Sequence, residues 1–352
     1  MKNPKGTGIM NAGAWGTAIA RVLGSKGEPV VLWDPLAEVV DEINSDHRNS
    51  RFLPGVDLPE TVRAVTDPAE AAAGKEYILL ATPSPYLTEV TKNLAVQPEV
   101  REGRPLIGVL SKGFLPGPDG PKLILDMMEG YLPGFYRNNL VYISGPSHAE
   151  EVSRGKITGL ISACVNGKNS IRIRELLAGR NLLIYSSLDV KGVQVCGAVK
   201  NVIAIAFGIL DALTAITDSF GDNTESLLLA AGLAEIQLLG TSLGSRHPET
   251  FTSIAGVGDL DVTCRSRYGR NRRFGKEIIT KDLLQDFKNI KDLTANLKDL
   301  GYLPEGVYAC GYTRSLAAKH GLKLPICEAV YRILNKEADP LDIIRKVIPV
   351  MI

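Results

Sequence analysis

The 352-residue sequence contains no CxxC pair and no Cys/His spacing of the kind that holds a metal ion. Its five cysteines, Cys164, Cys196, Cys264, Cys310 and Cys327, are odd in number and widely spaced. Cys164 and Cys196 lie in apolar runs. A disulfide scaffold or a zinc module is therefore not expected, whereas free thiols in a reducing cytosol are. An excess of charge of one sign is also lacking. Forty Lys and Arg stand against 39 Asp and Glu, a net charge of +1. That balance gives no reason to expect nucleic acid or membrane as partner, although a local basic cluster stays open. The first residues, Met1–Gly8, are polar and glycine-rich and lack the apolar stretch of a signal peptide. Neither an internal repeat nor a low-complexity tract is present. What remains, 45% hydrophobic and 22% charged, is an ordinary globular composition, and the length predicts two domains.

One apolar stretch organises the chain. Gly192–Leu210 reads GVQVCGAVKNVIAIAFGIL, with Lys200 and Asn201 in its middle. It is long enough to be taken for a membrane span, but a central Lys is costly in lipid, and Gln194 and Asn201 argue the same way. A buried helix of a soluble protein fits better, its small residues letting other helices approach closely. On such a helix Lys200 either snorkels to the surface or is a desolvated base, since burial depresses a lysine's pKa. Residue type alone favours snorkelling, because buried charges are rare.

The first half alternates strand and helix patterns. Thr7–Met10, Glu28–Trp33, Ala64–Thr66, Tyr77–Ala81, Leu106–Leu110, Leu140–Ile143, Gly159–Cys164 and Leu182–Ser186 read as strands. Continuous apolar runs such as YILLA are expected of parallel strands buried on both faces. Strands interleaved with helices predict a doubly wound parallel sheet that binds ligands at the strands' C-terminal ends. After residue 189 the strand signals stop. Helices are expected over 225–239, 282–300, 307–320 and 326–335. The expectation is an α/β N-terminal Rossmann-type domain over 1–188, followed by an all-α domain over 189–352.

The loop Asn11-Ala12-Gly13-Ala14-Trp15-Gly16 lies between the first strand and a helix, and Asp34 ends the second strand. This is a dinucleotide fingerprint in which Asn11 replaces the first glycine. Asn is the next most tolerant residue of left-handed backbone, so the turn survives. Asp34 is expected either to accept from the adenosine ribose or merely to cap the following helix. In the first role it would favour NAD over NADP, because Pro35 and Leu36 offer no cation to a 2′-phosphate. Three further segments stand at strand ends or in loops: Ser111-Lys112-Gly113, Ser144–Ala149, and Gly256–Asp259 with Thr263 and Gly269–Arg273. Taken singly, each has a mundane reading as a solvated lysine, a turn or a surface arginine run.

Together these residues resemble the NAD(P)-dependent glycerol-3-phosphate dehydrogenase family. The matching stretches, in family order, are NAGAWGTAIA, FLPGVDLP, LSKG, SGPSHAEEV, GVQVCGAVKNVIAIA, FGDNTE, AGVGDLDVTC, GRNRRFG and PEGVYA. The resemblance implies a Rossmann-type domain, then a helical domain, with the active site between them. It implies Lys200 as proton acceptor, with Asp259 available to orient it. It also implies that Lys112 contacts both substrate and cofactor, and that Gly145 and Ser147 contact substrate. Asp259, Thr263, Gly269, Arg270 and Asn271 match positions that hold the glycerol phosphate. Ala149, Arg270, Leu303 and Glu305 match cofactor contacts, beside Asn11, Gly13, Ala14, Trp15, Gly16 and Asp34. The implied cofactor is NAD(H), with NADP second. The implied setting is a cytoplasmic homodimer acting on a small phosphorylated substrate, with no nucleic acid and no membrane insertion. Ala230 and Ala231 depart from the family, standing where an arginine precedes Gly232. Two alternatives follow from these departures: the same chemistry on another phosphorylated or phosphonate alcohol, and a non-catalytic NADH sensor.

Overall fold

The computed structural model describes residues 6–351. The chain divides into two compact units. One holds the residues up to Leu115 together with Ile124–Val190; the other holds Pro116–Leu123 and everything from Lys191 onward.

The first unit is built on one eight-stranded sheet. Its strands are β1 (Thr7–Met10), β2 (Val30–Trp33), β3 (Val62–Val65), β4 (Tyr77–Leu80), β5 (Leu106–Val109), β6 (Val141–Ser144), β7 (Thr158–Ala163) and β8 (Leu182–Ser187). The spatial order is β8-β7-β6-β5-β4-β1-β2-β3. The first six strands are parallel, and the order reverses between β1 and β4, which makes that point the expected ligand crevice. β1, β5 and β6 are buried along their whole length, as expected of parallel strands covered on both faces. A core of Ile9, Ile19, Leu32, Ile43, Leu79, Ile143 and Leu160 fills both faces.

The sheet departs from the fully parallel expectation at one side. β7 runs antiparallel to β6, and β8 is parallel to β7. A parallel return needs a crossover, usually a full helix. The segment between β6 and β7 carries only the four-residue helix Ala149–Val152, too short to carry the chain back along the sheet.

The helix α1 (Ala14–Gly24) follows β1 in the first unit, and the second unit is helical around α2 (Val190–Leu213). α2 is long and apolar enough to cross a bilayer, but its most apolar window is entirely buried inside the protein. Around it lie α3 (Asp222–Ser242), α4 (Asp259–Arg265), α5 (Arg270–Thr280), α6 (Gly306–His320) and α7 (Pro325–Leu334). Two glycines set its closest crossing. A Cβ on Gly208 would lie 1.9 Å from the Arg272 carbonyl oxygen, and one on Gly275 would lie 2.1 Å from that of Ile205. The backbones of α2 and α5 therefore touch. The helix expected over 282–300 is broken. Asp282 adopts left-handed backbone, and the Asn289 side chain accepts from Lys291 N and Asp292 N, starting a separate short helix at Ile290.

Candidate active site

α2 places Lys200 and Asn201 on consecutive residues, both buried, with Lys200 6% exposed. Snorkelling is thereby excluded. Lys200 Nζ donates to Asp259 Oδ1 and, at 2.8 Å, to Thr263 Oγ1. Thr263 in turn donates to the Asp259 carbonyl at 2.6 Å. Asp259 is fully buried at the start of α4. A π-helical turn, Ile254–Gly258, feeds the chain into it, an irregularity that recurs at functional sites. Asp259 and Thr263 sit four apart on one helix face, so both reach the same ammonium group.

The α2–α5 crossing brings a second pair together. Asn271 Nδ2 donates to Asn201 Oδ1 at 2.9 Å, while Asn271 Oδ1 accepts from Gly306 N at 2.9 Å. Asn271 thereby ties α2, α5 and the start of α6 to one another. Gly269 is the N-cap of α5 and Arg270 its exposed first residue. Arg272 pairs with Asp211 at 3.0 Å and Arg273 with Glu277 at 3.0 Å. Of the three arginines, Arg270 alone makes no ion pair among the described residues. Leu303 and Glu305 precede α6 and are partly exposed. Their loop is anchored by Tyr302, whose hydroxyl donates to Glu277 and whose ring lies 4.3 Å beneath the Arg273 guanidinium. Burial pushes the Glu277 carboxyl up, but hydrogen bonds from Lys281, Tyr302 and Arg273 outweigh this and hold it at about 2.

In the first unit, Lys112 follows β5 and Gly145 follows β6, at neighbouring strand ends. Lys112 Nζ donates to the Gly145 carbonyl at 3.0 Å and to Ser147 Oγ at 3.2 Å. Asn11 ends β1 in left-handed backbone, φ 90°. A Cβ on Gly16 would lie 2.1 Å from the Asn11 carbonyl oxygen, so this last glycine of the fingerprint is required. No side chain caps α1, and Gly13, Ala14 and Trp15 are partly exposed. First-turn N–H groups uncapped at a β–α turn fit a pyrophosphate, so the residues present fit a dinucleotide. Ala149 packs in one small cluster with Ala14, Trp15, Ala18, Leu53 and Val56, beside this turn. Asp34 is turned inward. It is 1% exposed, accepting from Asn11 Nδ2, Ala12 N and Leu36 N at 3.0 to 3.1 Å.

Residues that reading the sequence missed are Asn49, Glu277 and Tyr302. Asn49 is fully buried and donates to the Ala12 carbonyl at 2.7 Å. No local pattern marks it, because its partner lies 37 residues away. Of the two alanines before Gly232, Ala230 is exposed and Ala231 is 2% exposed, and Gly232 packs on Ile203. No group of three or more His, Cys, Asp or Glu that could hold a metal exists among the described residues.

A Rossmann-type sheet with a glycine-rich β–α turn, followed by helices around a buried lysine, defines a nucleotide-dependent two-unit architecture. The family models described as NAD-dependent glycerol-3-phosphate dehydrogenase N-terminus and C-terminus match residues 7–170 and 189–345. A Treponema denticola protein named glycerol-3-phosphate dehydrogenase [NAD(P)+] is 57% identical over 346 residues, 97% of each chain. Its namesake from Bacillus velezensis is 38% identical, covering 94% of this chain and 90% of its own. The crystal structure of glycerol-3-phosphate dehydrogenase from Coxiella burnetii superposes with TM-score 0.83 at 32% identity, covering 97% of this chain and 98% of that one. The chain belongs to the NAD-dependent glycerol-3-phosphate dehydrogenase family.

Proposed function

We propose that this protein interconverts sn-glycerol 3-phosphate and dihydroxyacetone phosphate, using NAD(H), with NADP(H) as the second cofactor. The observation that carries the reading is Lys200, an ammonium group buried in an apolar helix and aimed by Asp259 and Thr263. Oxidising a secondary alcohol requires a base for the hydroxyl proton. The nicotinamide, when bound, supplies the hydride acceptor or donor. In the reducing direction the Lys200 ammonium gives a proton to the carbonyl oxygen and is left as the neutral amine; in the oxidising direction that neutral amine takes the alcohol proton. Asp259 fixes the ammonium group and balances its charge. Thr263, Gly269, Arg270 and Asn271 hold the phosphate. An arginine at a helix N-terminus with an amide donor nearby suits that anion.

In the same proposal, Lys112, Gly145 and Ser147 contact substrate, and Lys112 also contacts cofactor. Asn11–Gly16, Ala149, Leu303 and Glu305 hold the dinucleotide. Residues 1–188 serve the cofactor, and 189–352 the substrate and the chemistry. A cytoplasmic homodimer is the proposed setting; light scattering on the purified protein checks the assembly. The deciding experiment follows NADH and NADPH oxidation with dihydroxyacetone phosphate. Turnover that depends on the phosphate group is expected. NADH binding without turnover would replace this reading with that of a sensor.

A further inference from the structure

Where the fingerprint's first glycine is absent, something must hold the turn. Asn11 takes up left-handed backbone at φ 90°, which costs an ordinary residue of order 1–3 kcal/mol unless its surroundings hold it there. The surroundings do so at its backbone N–H and at both polar atoms of its side chain. Its N–H donates to the Trp33 carbonyl at 2.9 Å, its Oδ1 accepts from Gly13 N at 3.2 Å, and its Nδ2 donates to Asp34 Oδ2 at 3.0 Å. That same Asp34 oxygen accepts from Ala12 N at 3.0 Å, and the other accepts from Leu36 N at 3.1 Å. Asn49 grips the turn from the opposite side, donating to the Ala12 carbonyl and, at 2.8 Å, to Thr17 Oγ1. Asp34 is 1% exposed, so its carboxylate presents almost no surface to an incoming ribose. Of the charges near it, Arg51 attracts it and Glu38 repels it, and these two pair with each other at 2.9 Å.

We propose that Asp34 is a positioning residue that latches the dinucleotide turn through Asn11, and that it does not discriminate between the two nicotinamide cofactors. The inference rests on the proposed dinucleotide role of the turn. A ribose reader and a latch differ in what their loss does. A reader acts on NADH alone, since NADPH carries a phosphate where the contact would form. A latch shapes the pyrophosphate cradle that both cofactors share.

The test is fluorescence titration of NADH and of NADPH on the full chain, without substrate. In Asp34→Ala both dissociation constants should rise by about tenfold, as expected when buried donors lose their acceptor, with their ratio moving less than about threefold. A tenfold loss of NADH with NADPH unchanged or tighter would overturn the latch. If Asp34→Ala does not fold, Asn11 carries the test. Asn11→Gly removes the strain along with the bonds and should bind both cofactors at least about threefold more tightly than Asn11→Ala does. Asn11→Ala keeps the strain without the bonds and should weaken both by about tenfold. Equal effects of Gly and Ala at position 11 would also overturn the proposal. A wild-type protein that binds neither cofactor would instead end the dinucleotide reading itself.

Discussion

At the scale of single residues, the site turns on a charge placed where charges are rare. Lys200→Met should lower kcat by about 10²–10⁴-fold, the usual consequence of losing a general base. The NADH dissociation constant should stay within about threefold of wild type. Asp259 is then buried without its lysine, which should cost about 3–5 kcal/mol of stability. Lys200→Met with Asp259→Asn should recover part of that loss in thermal unfolding and none of the turnover. Recovery of turnover would show that the lysine does no chemistry. Arg270 makes a separate case. Its neighbours Arg272 and Arg273 are paired with Asp211 and Glu277, whereas Arg270 is exposed at the start of α5. Arg270→Ala should raise KM for the phosphorylated substrate by about ten- to a hundredfold, corresponding to a charged hydrogen bond of about 1.5–3 kcal/mol. Equal activity on unphosphorylated dihydroxyacetone would refute the assignment.

At the scale of elements, the crossing of α2 and α5 decides whether the site exists. Gly275→Ala puts a Cβ 2.1 Å from the Ile205 carbonyl oxygen, so one helix must move. The cost should reach about 1–3 kcal/mol. The shift should also break the bond from Asn271 to Asn201, so KM should rise together with the loss in Tm. The Tyr302–Glu277 strut can be tested by pH. The Glu277 carboxyl sits at about 2 against an ordinary 4.5, so its folded-state value is depressed. Its contribution is therefore fully present above about pH 4.5 and is lost as pH falls towards 2. Glu277→Gln should unfold at a lower temperature than wild type, by a constant margin above about pH 4.5 that shrinks below it. A margin independent of pH down to 2 would show that the carboxylate's charge is irrelevant. The elements themselves were mostly legible. β4 and the α2 stretch carry apolar runs that a buried strand and a buried helix explain. Reversal of β7 and the break after Asp282 were not, because both depend on how a short connection or a left-handed residue redirects the chain.

At the scale of the whole molecule, cofactor should stabilise the fold by mass action. NADH at a hundred times its dissociation constant should add about 2.7 kcal/mol to unfolding. Thermal scans with and without NADH check this, and no shift at that concentration would speak against binding to the native state. The sequence by itself determined the two-part organisation and the Rossmann-type order of the first unit. Those features are written in local periodicity and in short motifs, which need no partner to be read. It also contained the choice between a snorkelling Lys200 and a buried one, without deciding it. The tertiary structure decided that choice, because exposure depends on what packs around α2, and Asp259 and Thr263 come from 59 and 63 residues away. It likewise turned Asp34 from a surface acceptor into a buried one, since Asn11 and Ala12 lie across a strand pairing that no local pattern encodes. A motif names the atoms available to a site. Only the packing of distant backbone against it fixes which of those atoms still face a ligand.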